Sequence, residues 1–230
     1  MRFFIYITLF FNILQSKAQT IHQSTYWTRL YLRAKLSEKY SLQFEADNRR
    51  FFNADQQLQF IAHVHLHRKL GKNREGSLGF TFSDAWQGNL QVPEFRPFQE
   101  FYIFQPFNAR FRLTHRIRTE QRWFRNYAYD HLVYGYNVKL RLRYLLRFDY
   151  KLSEKWILKA NDELMYHHTG FDQNRIYGAI EYKFLKDLSL ELGYLKLKQK
   201  RIGKDGYFIR DNMRVTVYKD FDWLSGNTNK

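Results

Sequence analysis

Apolar and polar residues alternate with a period of two along most of the chain. In residues 136–150 the even positions are apolar or aromatic. The odd positions from Asn137 to Asp149 are polar or charged, with Leu145 as the exception. Residues 110–123 repeat the pattern with arginines on the polar face. Because successive side chains of a strand point to opposite faces, this alternation predicts β-strands with one apolar and one polar face.

Eleven runs of this kind can be delimited, and most are longer than the five or six residues of a typical globular strand. They fit the roughly 9–11 residues that a tilted strand needs to cross a bilayer. The runs are 24–36, 40–52, 57–70, 77–86, 97–106, 110–124, 132–151, 156–167, 174–185, 188–200 and 206–221.

These runs predict an all-β fold, an antiparallel up-and-down transmembrane β-barrel of 10–12 strands. Because single-chain bacterial barrels have even strand numbers, we expect ten or twelve strands and slightly favour twelve. The region most prone to a miscount is 87–106, which three prolines interrupt. In the run 188–200 the apolar positions change from even to odd at Tyr194-Leu195, which predicts a β-bulge there.

The connections between the runs alternate in length. Short turns are predicted at 37–39, 107–109, 153–155 and 185–187, and longer polar links at 87–96, 125–131, 168–174 and 201–206. Short periplasmic turns and longer external loops are typical of outer-membrane barrels. This alternation therefore favours the same architecture.

The first residues have the pattern of an export signal. Arg2 precedes an apolar run from Phe3 to Leu14, and the small residues Ser16 and Ala18 follow. The run is too short to span a bilayer as a helix. We therefore predict a cleaved signal peptide at 1–18, a barrel at 19–223 and a short C-terminal tail at 224–230. A short buried N-terminal element is the alternative interpretation.

Composition and charge add constraints on function. The chain has no cysteine, which excludes disulfides, thiol nucleophiles and thiolate metal sites. The formal net charge of +16 would by itself suggest nucleic acid as a partner. An exported protein does not meet cytoplasmic nucleic acid, so we expect no such partner and place the chain in the cell outer membrane. The expected partners are outer-membrane lipid and lipopolysaccharide, the barrel-assembly machinery and small anionic solutes.

Several sequence motifs resemble one known family. They are Trp27-x-Arg29-Leu30-Tyr31, the hairpin sequence from Leu36 to Leu42, the arginine-rich strand around Glu120, and Asp211-Asn212-Met213-Arg214-Val215. The chain resembles the uncharacterised outer-membrane barrel family called domain of unknown function 2490. The resemblance implies a barrel in the outer membrane and brings no activity, cofactor or catalytic residue.

In a membrane barrel the polar face of each strand lines the lumen, and in this chain arginine is concentrated on two consecutive strands. Folding these strands about Ala128-Tyr129 would place Arg116 near Arg141 and Arg118 near Lys139. Like charges directly opposite are destabilising, and the arginine fork suits carboxylate and phosphate. The candidate anion-binding residues of the lumen are Arg112, Arg116, Arg118, Arg122, Lys139, Arg141, Arg143 and Arg147.

Two functions follow from this lumen. One is a basic lumen that attracts or passes small anions. The other is a non-conducting structural or interaction barrel, in which arginine and glutamate side chains fill the lumen, as happens in small barrels. Conduction in planar bilayers distinguishes them.

His63, His65 and His67 lie at alternate positions of one run, so their imidazoles share a face. Imidazole nitrogen is a common metal ligand, and Glu45 or Asp47 could complete a site. The alternative, which we favour, is a stripe of polar lumen side chains. We expect no cofactor.

A third class of function is a lipid-modifying barrel enzyme with a Ser–His pair near the outer rim. The residues available are Ser83, Asp84, His131, His167 and His168. No nucleophile motif accompanies them, so we predict that the chain is not an enzyme.

Overall fold

The computed structural model describes residues 20–53, 56–201 and 205–222. Within these ranges eleven strands form one sheet, and no helix there is long and apolar enough to cross a membrane. The strands are β1 Thr20–Lys35, β2 Tyr40–Phe51, β3 Gln57–Gly71, β4 Arg74–Gln87, β5 Leu90–Pro106, β6 Phe111–Ala128, β7 His131–Lys151, β8 Trp156–His167, β9 Gly170–Leu185, β10 Leu188–Lys200 and β11 Tyr207–Asp222. The predicted signal peptide and C-terminal tail lie outside the described residues.

The sheet closes on itself, which confirms the predicted all-β barrel. Each strand pairs antiparallel with the next. The first and last strands pair in parallel, from Thr20 opposite Tyr207 to Lys35 opposite Asp222. The expected even strand number is wrong for the described residues. Each of the eleven alternating runs is a strand, and the parallel β1–β11 ladder removes the need for a twelfth.

The barrel has two rims. The lower rim is formed by the connections 36–39, 72–73, 107–110, 152–155 and 186–187. The described residues of the upper rim are 52–53, 56, 88–89, 129–130, 168–169, 201 and 205–206. Salt bridges tie two of the lower-rim connections to adjacent strands. Hydrogen bonds from Lys35 and Lys219 lower the pKa of the Glu38 and Asp187 carboxyls, respectively.

Three of the four predicted upper connections are shorter than the sequence predicts, whereas the link 201–206 keeps its predicted bounds. Strands extend into the expected loops 87–96, 125–131 and 168–174, leaving two-residue turns in all three places. One of these turns is Tyr129-Asp130, where Tyr129 adopts a φ of 55°. Such left-handed conformations suit tight hairpin turns.

Two local irregularities differ from expectation. Pro93 and Pro97 lie inside β5, and the β5–β6 register has no pair between Phe95 and Phe98. A proline has no N–H to donate, so the ladder is interrupted there without ending the strand. The predicted bulge at Tyr194-Leu195 is absent. The β9–β10 register shifts between Leu188 and Ser189 instead.

The distribution of buried residues is inverted relative to a water-soluble domain. Among the described residues, eight apolar and twenty-nine polar or charged side chains are buried. Large apolar side chains point outward, with exposed fractions of 63% for Leu78, 58% for Leu140 and 57% for Ile176. The polar face of each strand therefore forms the interior, and the apolar face forms the outside of the barrel.

Candidate functional site

A lumen cavity of about 1470 Å³ runs along the inside of the barrel. Its lining reaches from Gln87 and Tyr127 near the upper rim to Phe104 and Asp220 near the lower rim. Seventeen lining residues are Lys or Arg, and five are Asp or Glu. The surface that faces the cavity is therefore strongly cationic.

Many of the carboxylates that balance these cations lie against the barrel wall instead of lining the cavity. Glu120 is 1% exposed and is the centre of the largest cluster. Its carboxylate lies 2.7 Å from Arg118 Nε, 2.5 Å from Arg141 Nη2 and 2.8 Å from Arg143 Nη1. Arg96 Nη1 lies 4.0 Å away on the remaining side. One buried carboxylate thus holds four guanidinium groups.

Two more glutamates extend this cluster toward the lower rim. Arg143 Nη2 lies 2.6 Å from Glu163 Oε1, and Arg116 pairs with the same oxygen. Arg116 Nη1 also lies 3.4 Å from Glu100 Oε1, which Arg118 Nη1 approaches to 3.3 Å. The salt bridges therefore link β5, β6, β7 and β8 across neighbouring side chains.

Glu94 on β5 holds a further pair of arginines. Arg96 donates to both of its oxygens at 2.9 and 2.8 Å. Arg122 does the same at 2.6 and 3.1 Å. Bidentate pairs of this kind are the strong form of the arginine–carboxylate interaction. Arg96 is not among the sequence-predicted site residues, because the prolines of 87–106 obscure the alternation that marks a lumen position.

The opposite wall has its own cluster around Glu191, which is fully buried. Lys159 Nζ lies 2.8 Å from its Oε2, and Arg214 Nη2 lies 2.9 Å from its Oε1. Tyr177 and Tyr218 donate hydroxyl hydrogen bonds to the same carboxylate at 2.5 and 2.9 Å. None of these residues was among the sequence-predicted site residues.

The predicted pairing of Arg116 with Arg141 is wrong. In the β6–β7 ladder Arg116 lies opposite Leu145, and Arg141 lies opposite Glu120. The hairpin is centred on Tyr129-Asp130, and a register irregularity between Arg125 and Tyr127 shifts it further. Arginine still meets a basic residue at two positions, Arg118 opposite Arg143 and Arg122 opposite Lys139.

The remaining predicted anion-binding residues lie at different depths of the lumen. Arg112 and Arg147 share Asp149 near the lower rim, at 2.8 and 3.4 Å, and the Arg112 side chain is 51% exposed. Lys139 lies toward the upper rim, 5.9 Å from the Phe124 ring centroid. No salt bridge to Lys139 occurs among the described residues.

A second cation of this upper region is Arg210, also unpaired with any described carboxylate. Its Nε donates to Gln23 Oε1 at 2.6 Å and its Nη1 to Gln199 Oε1 at 3.0 Å. The arginines around Glu120 thus lie at mid-barrel, whereas Lys139 and Arg210, which have no described acidic partner, lie toward the upper rim.

The three histidines face the lumen as a buried stripe. His63 Nδ1 lies 2.7 Å from Thr81 Oγ1, His65 Nδ1 lies 3.2 Å from Glu100 Oε2, and His67 Nδ1 lies 2.7 Å from Glu75 Oε1. His63 and His65 therefore each have a hydrogen-bonding neighbour, whereas His67 contacts Glu75 without hydrogen-bond geometry. Within the described ranges, no group of three or more His, Asp and Glu side chains has an arrangement that could hold a metal ion.

An apolar patch interrupts the polar lumen on the β1, β9 and β10 side. Leu195 and Leu197 point inward and pack with Trp27 and Tyr177. This inward direction explains the change of apolar phase along β10, because the strand keeps its alternation and places leucines in the lumen.

The residues considered for catalysis are not assembled into a Ser–His pair. Ser83 is buried and accepts a hydrogen bond from Gln59 Nε2 at 2.7 Å. His167 Nε2 lies 3.3 Å from Asp172 Oδ2, and His131 lies at the upper rim beside Asp130. No hydrogen bond in the described part of the chain joins Ser83 to a histidine.

Comparison with known proteins adds a fold relative and a family. The solved structure of the NanC porin matches with a TM-score of 0.55 at 12% identity, covering 85% of this chain and 96% of that one. This likeness shows the fold. No curated protein matches the chain. Residues 24–207 match the family described as a protein of unknown function, DUF2490. The chain therefore belongs to the DUF2490 family.

Proposed function

We propose that this chain is an outer-membrane barrel whose lumen attracts and passes small anions. The apolar outward face and polar interior suit a bilayer, where a closed barrel satisfies every backbone hydrogen bond. The porin-like fold is consistent with a channel. The observation that carries the anion preference is the cavity lining, with seventeen basic and five acidic residues.

The positions of the charged side chains support the preference for anions more strongly than the number of basic and acidic residues does. Glu94, Glu100 and Glu120 are absent from the cavity lining, whereas Arg96, Arg118 and Arg141 are part of it. The carboxylates therefore stabilise the guanidiniums from the side of the barrel wall. An ion in the cavity contacts the guanidiniums and not these carboxylates. A lumen of one sign raises the local concentration of counter-ions.

Single-channel recording in planar bilayers under a KCl gradient tests the proposal. We expect discrete steps and a reversal potential that favours chloride. The double variant Lys139→Glu/Arg210→Glu should move the reversal potential toward potassium, since neither residue has a described acidic partner whose loss would disturb folding. The matched control is Lys196→Glu/Lys198→Glu, which makes the same charge change at outward-facing positions of β10. A wild-type barrel selective for potassium, or equal shifts in both variants, would refute the anion lumen.

The second candidate is a non-conducting barrel that serves a structural or interaction role. The observation in its favour is the continuous salt-bridge cluster through Glu100, Glu120 and Glu163 at mid-barrel. Conductance recordings distinguish the two candidates. If neither the wild type nor Arg116→Ala/Arg141→Ala gives a conductance step, transport is refuted and the non-conducting barrel is favoured.

The location is part of the same proposal. We propose that the chain is exported through a signal peptide at 1–18 and inserted by the barrel-assembly machinery. In the outer membrane it would contact lipid and lipopolysaccharide. Cell fractionation and N-terminal sequencing of the mature protein test it. We expect the protein in the outer-membrane fraction with Gln19 as its first residue.

A further inference from the structure

The outward face of the barrel carries a group of polar side chains at mid-strand. On β5 and β6 this group contains Gln99, Thr119 and Gln121, and on β8 and β9 it contains Asp162 and Asn174. We call these five residues the outer polar cluster. Between its two halves runs β7, whose outward side chains from Val138 to Tyr150 are all aliphatic or aromatic.

Asp162 is the most costly member of the cluster in a bilayer. It is the seventh of the twelve residues of β8 and is exposed on the outer face. Its ladder partners are Leu146 and Ile176. In the described part of the chain its only hydrogen-bond partner is the Asn174 amide. A carboxylate facing hydrocarbon near the bilayer centre destabilises a barrel, so a purely lipidic neighbour does not suit this face.

The other half of the cluster offers hydrogen-bond donors. Gln99 Oε1 accepts from Thr119 Oγ1 at 2.7 Å and from Gln121 Nε2 at 3.1 Å. Gln99 Nε2 has only a contact of 3.5 Å with Gln121 Oε1. Each side-chain amide carries two N–H groups, so this triad leaves N–H donors available to an external acceptor.

We propose that the β5–β9 face is an interface with a second copy of this chain. The proposal rests on the membrane location given under Proposed function. In a dimer whose two-fold axis runs parallel to the membrane normal beside β7, the β5–β6 side of one copy faces the β8–β9 side of the other. The amides of Gln99 and Gln121 then face the Asp162 carboxylate of the second copy, and the reverse holds at the symmetric position. The leucine-rich face of β7 packs against itself at the axis.

Cysteine crosslinking tests the interface, because the natural chain has no cysteine. Leu142→Cys places one thiol on the outward face of β7, near the proposed axis, where the native side chain is 50% exposed. Met213→Cys is the matched control on β11, with a native exposure of 52%. After oxidation in lipid vesicles we expect a disulfide-linked dimer from the first variant and monomer from the second. Equal crosslinking of both, or a product with the mass of another protein in native membranes, would overturn the assignment.

A second variant tests the role of the polar cluster itself. Asp162→Leu in the Leu142→Cys background should reduce the dimer yield several-fold while the barrel stays folded, as judged by its heat-sensitive mobility on gels. An unchanged yield would contradict the proposal. Carbonate extraction of the wild type tests the proposed membrane location separately from the proposed interface. A protein that fails to insert refutes the proposed location, whereas one that inserts and yields no crosslink refutes only the interface.

Discussion

Glu120 and Arg141 lie directly opposite each other in the β6–β7 ladder, and Arg141 Nε donates to Glu120 Oε2 at 2.6 Å. The same carboxylate also contacts Arg118 and Arg143. It therefore stabilises several buried positive charges that would otherwise repel one another.

Glu120→Gln should consequently be among the most destabilising single substitutions in the barrel. It removes the negative charge that the buried Arg118, Arg141 and Arg143 guanidiniums share, and breaking a buried ion pair typically costs about 3–5 kcal/mol. Because water in the lumen screens part of this charge, we expect a loss of about 3 kcal/mol in the free energy of unfolding. Urea unfolding of the refolded barrel in vesicles, followed by tryptophan fluorescence, measures it. Glu154→Gln in an exposed lower-rim turn is the control and should change stability by less than about 0.5 kcal/mol.

Gly79→Ala tests the close packing of the lumen wall. A Cβ on Gly79 would lie 2.1 Å from the Phe98 ring and 2.5 Å from the Val64 carbonyl oxygen. Phe98 has little freedom to move, since His65 packs against its ring and the Arg118 guanidinium lies 3.7 Å from its centroid. We expect a loss of about 1–3 kcal/mol in unfolding free energy.

The matched control for this substitution is Gly178→Ala, another strand-internal glycine, where an added Cβ meets nothing within 4 Å. It should be close to neutral in the same urea titration. Equal effects at the two glycines would show that backbone preference, and not the contact with Phe98, determines the cost.

The parallel closure of the barrel can be tested by a disulfide. Thr28 of β1 lies opposite Val215 of β11, and both side chains point outward. Thr28→Cys/Val215→Cys should therefore crosslink within one molecule on oxidation and alter its mobility on a non-reducing gel. Thr28→Cys/Lys219→Cys moves the second thiol four residues along β11, beyond disulfide reach. Crosslinking of the control pair at the same rate would contradict the observed register.

The strands were predictable because the alternation of apolar and polar residues can be recognised from the residues of each strand alone. All eleven runs correspond to strands, and the predicted run 132–151 matches β7, His131–Lys151, almost to the residue. The even strand number expected from the general rule for single-chain barrels is wrong for the described part of this chain. The chain can close with one parallel pair, which no local pattern reveals.

The arginine-rich lumen was predictable, but its pairing was not. Register depends on the position of a tight turn and on a single irregularity near Arg125. The ladder partner of Arg116 is four residues further along β7 than expected, so Arg141 lies opposite Glu120 instead of Arg116. Other partners are distant in sequence, as with Arg116 and Glu163, which come together only when several strands have curved into a barrel. Arg96 could not be recognised as a lumen residue from the sequence, because two prolines interrupt the alternation of its strand.

Because β1 and β11 run parallel, the first residue of β1 and the last residue of β11 lie at opposite rims of the barrel. With an odd number of strands, Thr20 lies at the upper rim and Asp222 at the lower rim. In a bilayer these two ends of the barrel sequence would be exposed to different compartments. A membrane-impermeant reagent applied from one side would then label only one of them, and the labelled end would reveal the orientation of the whole protein.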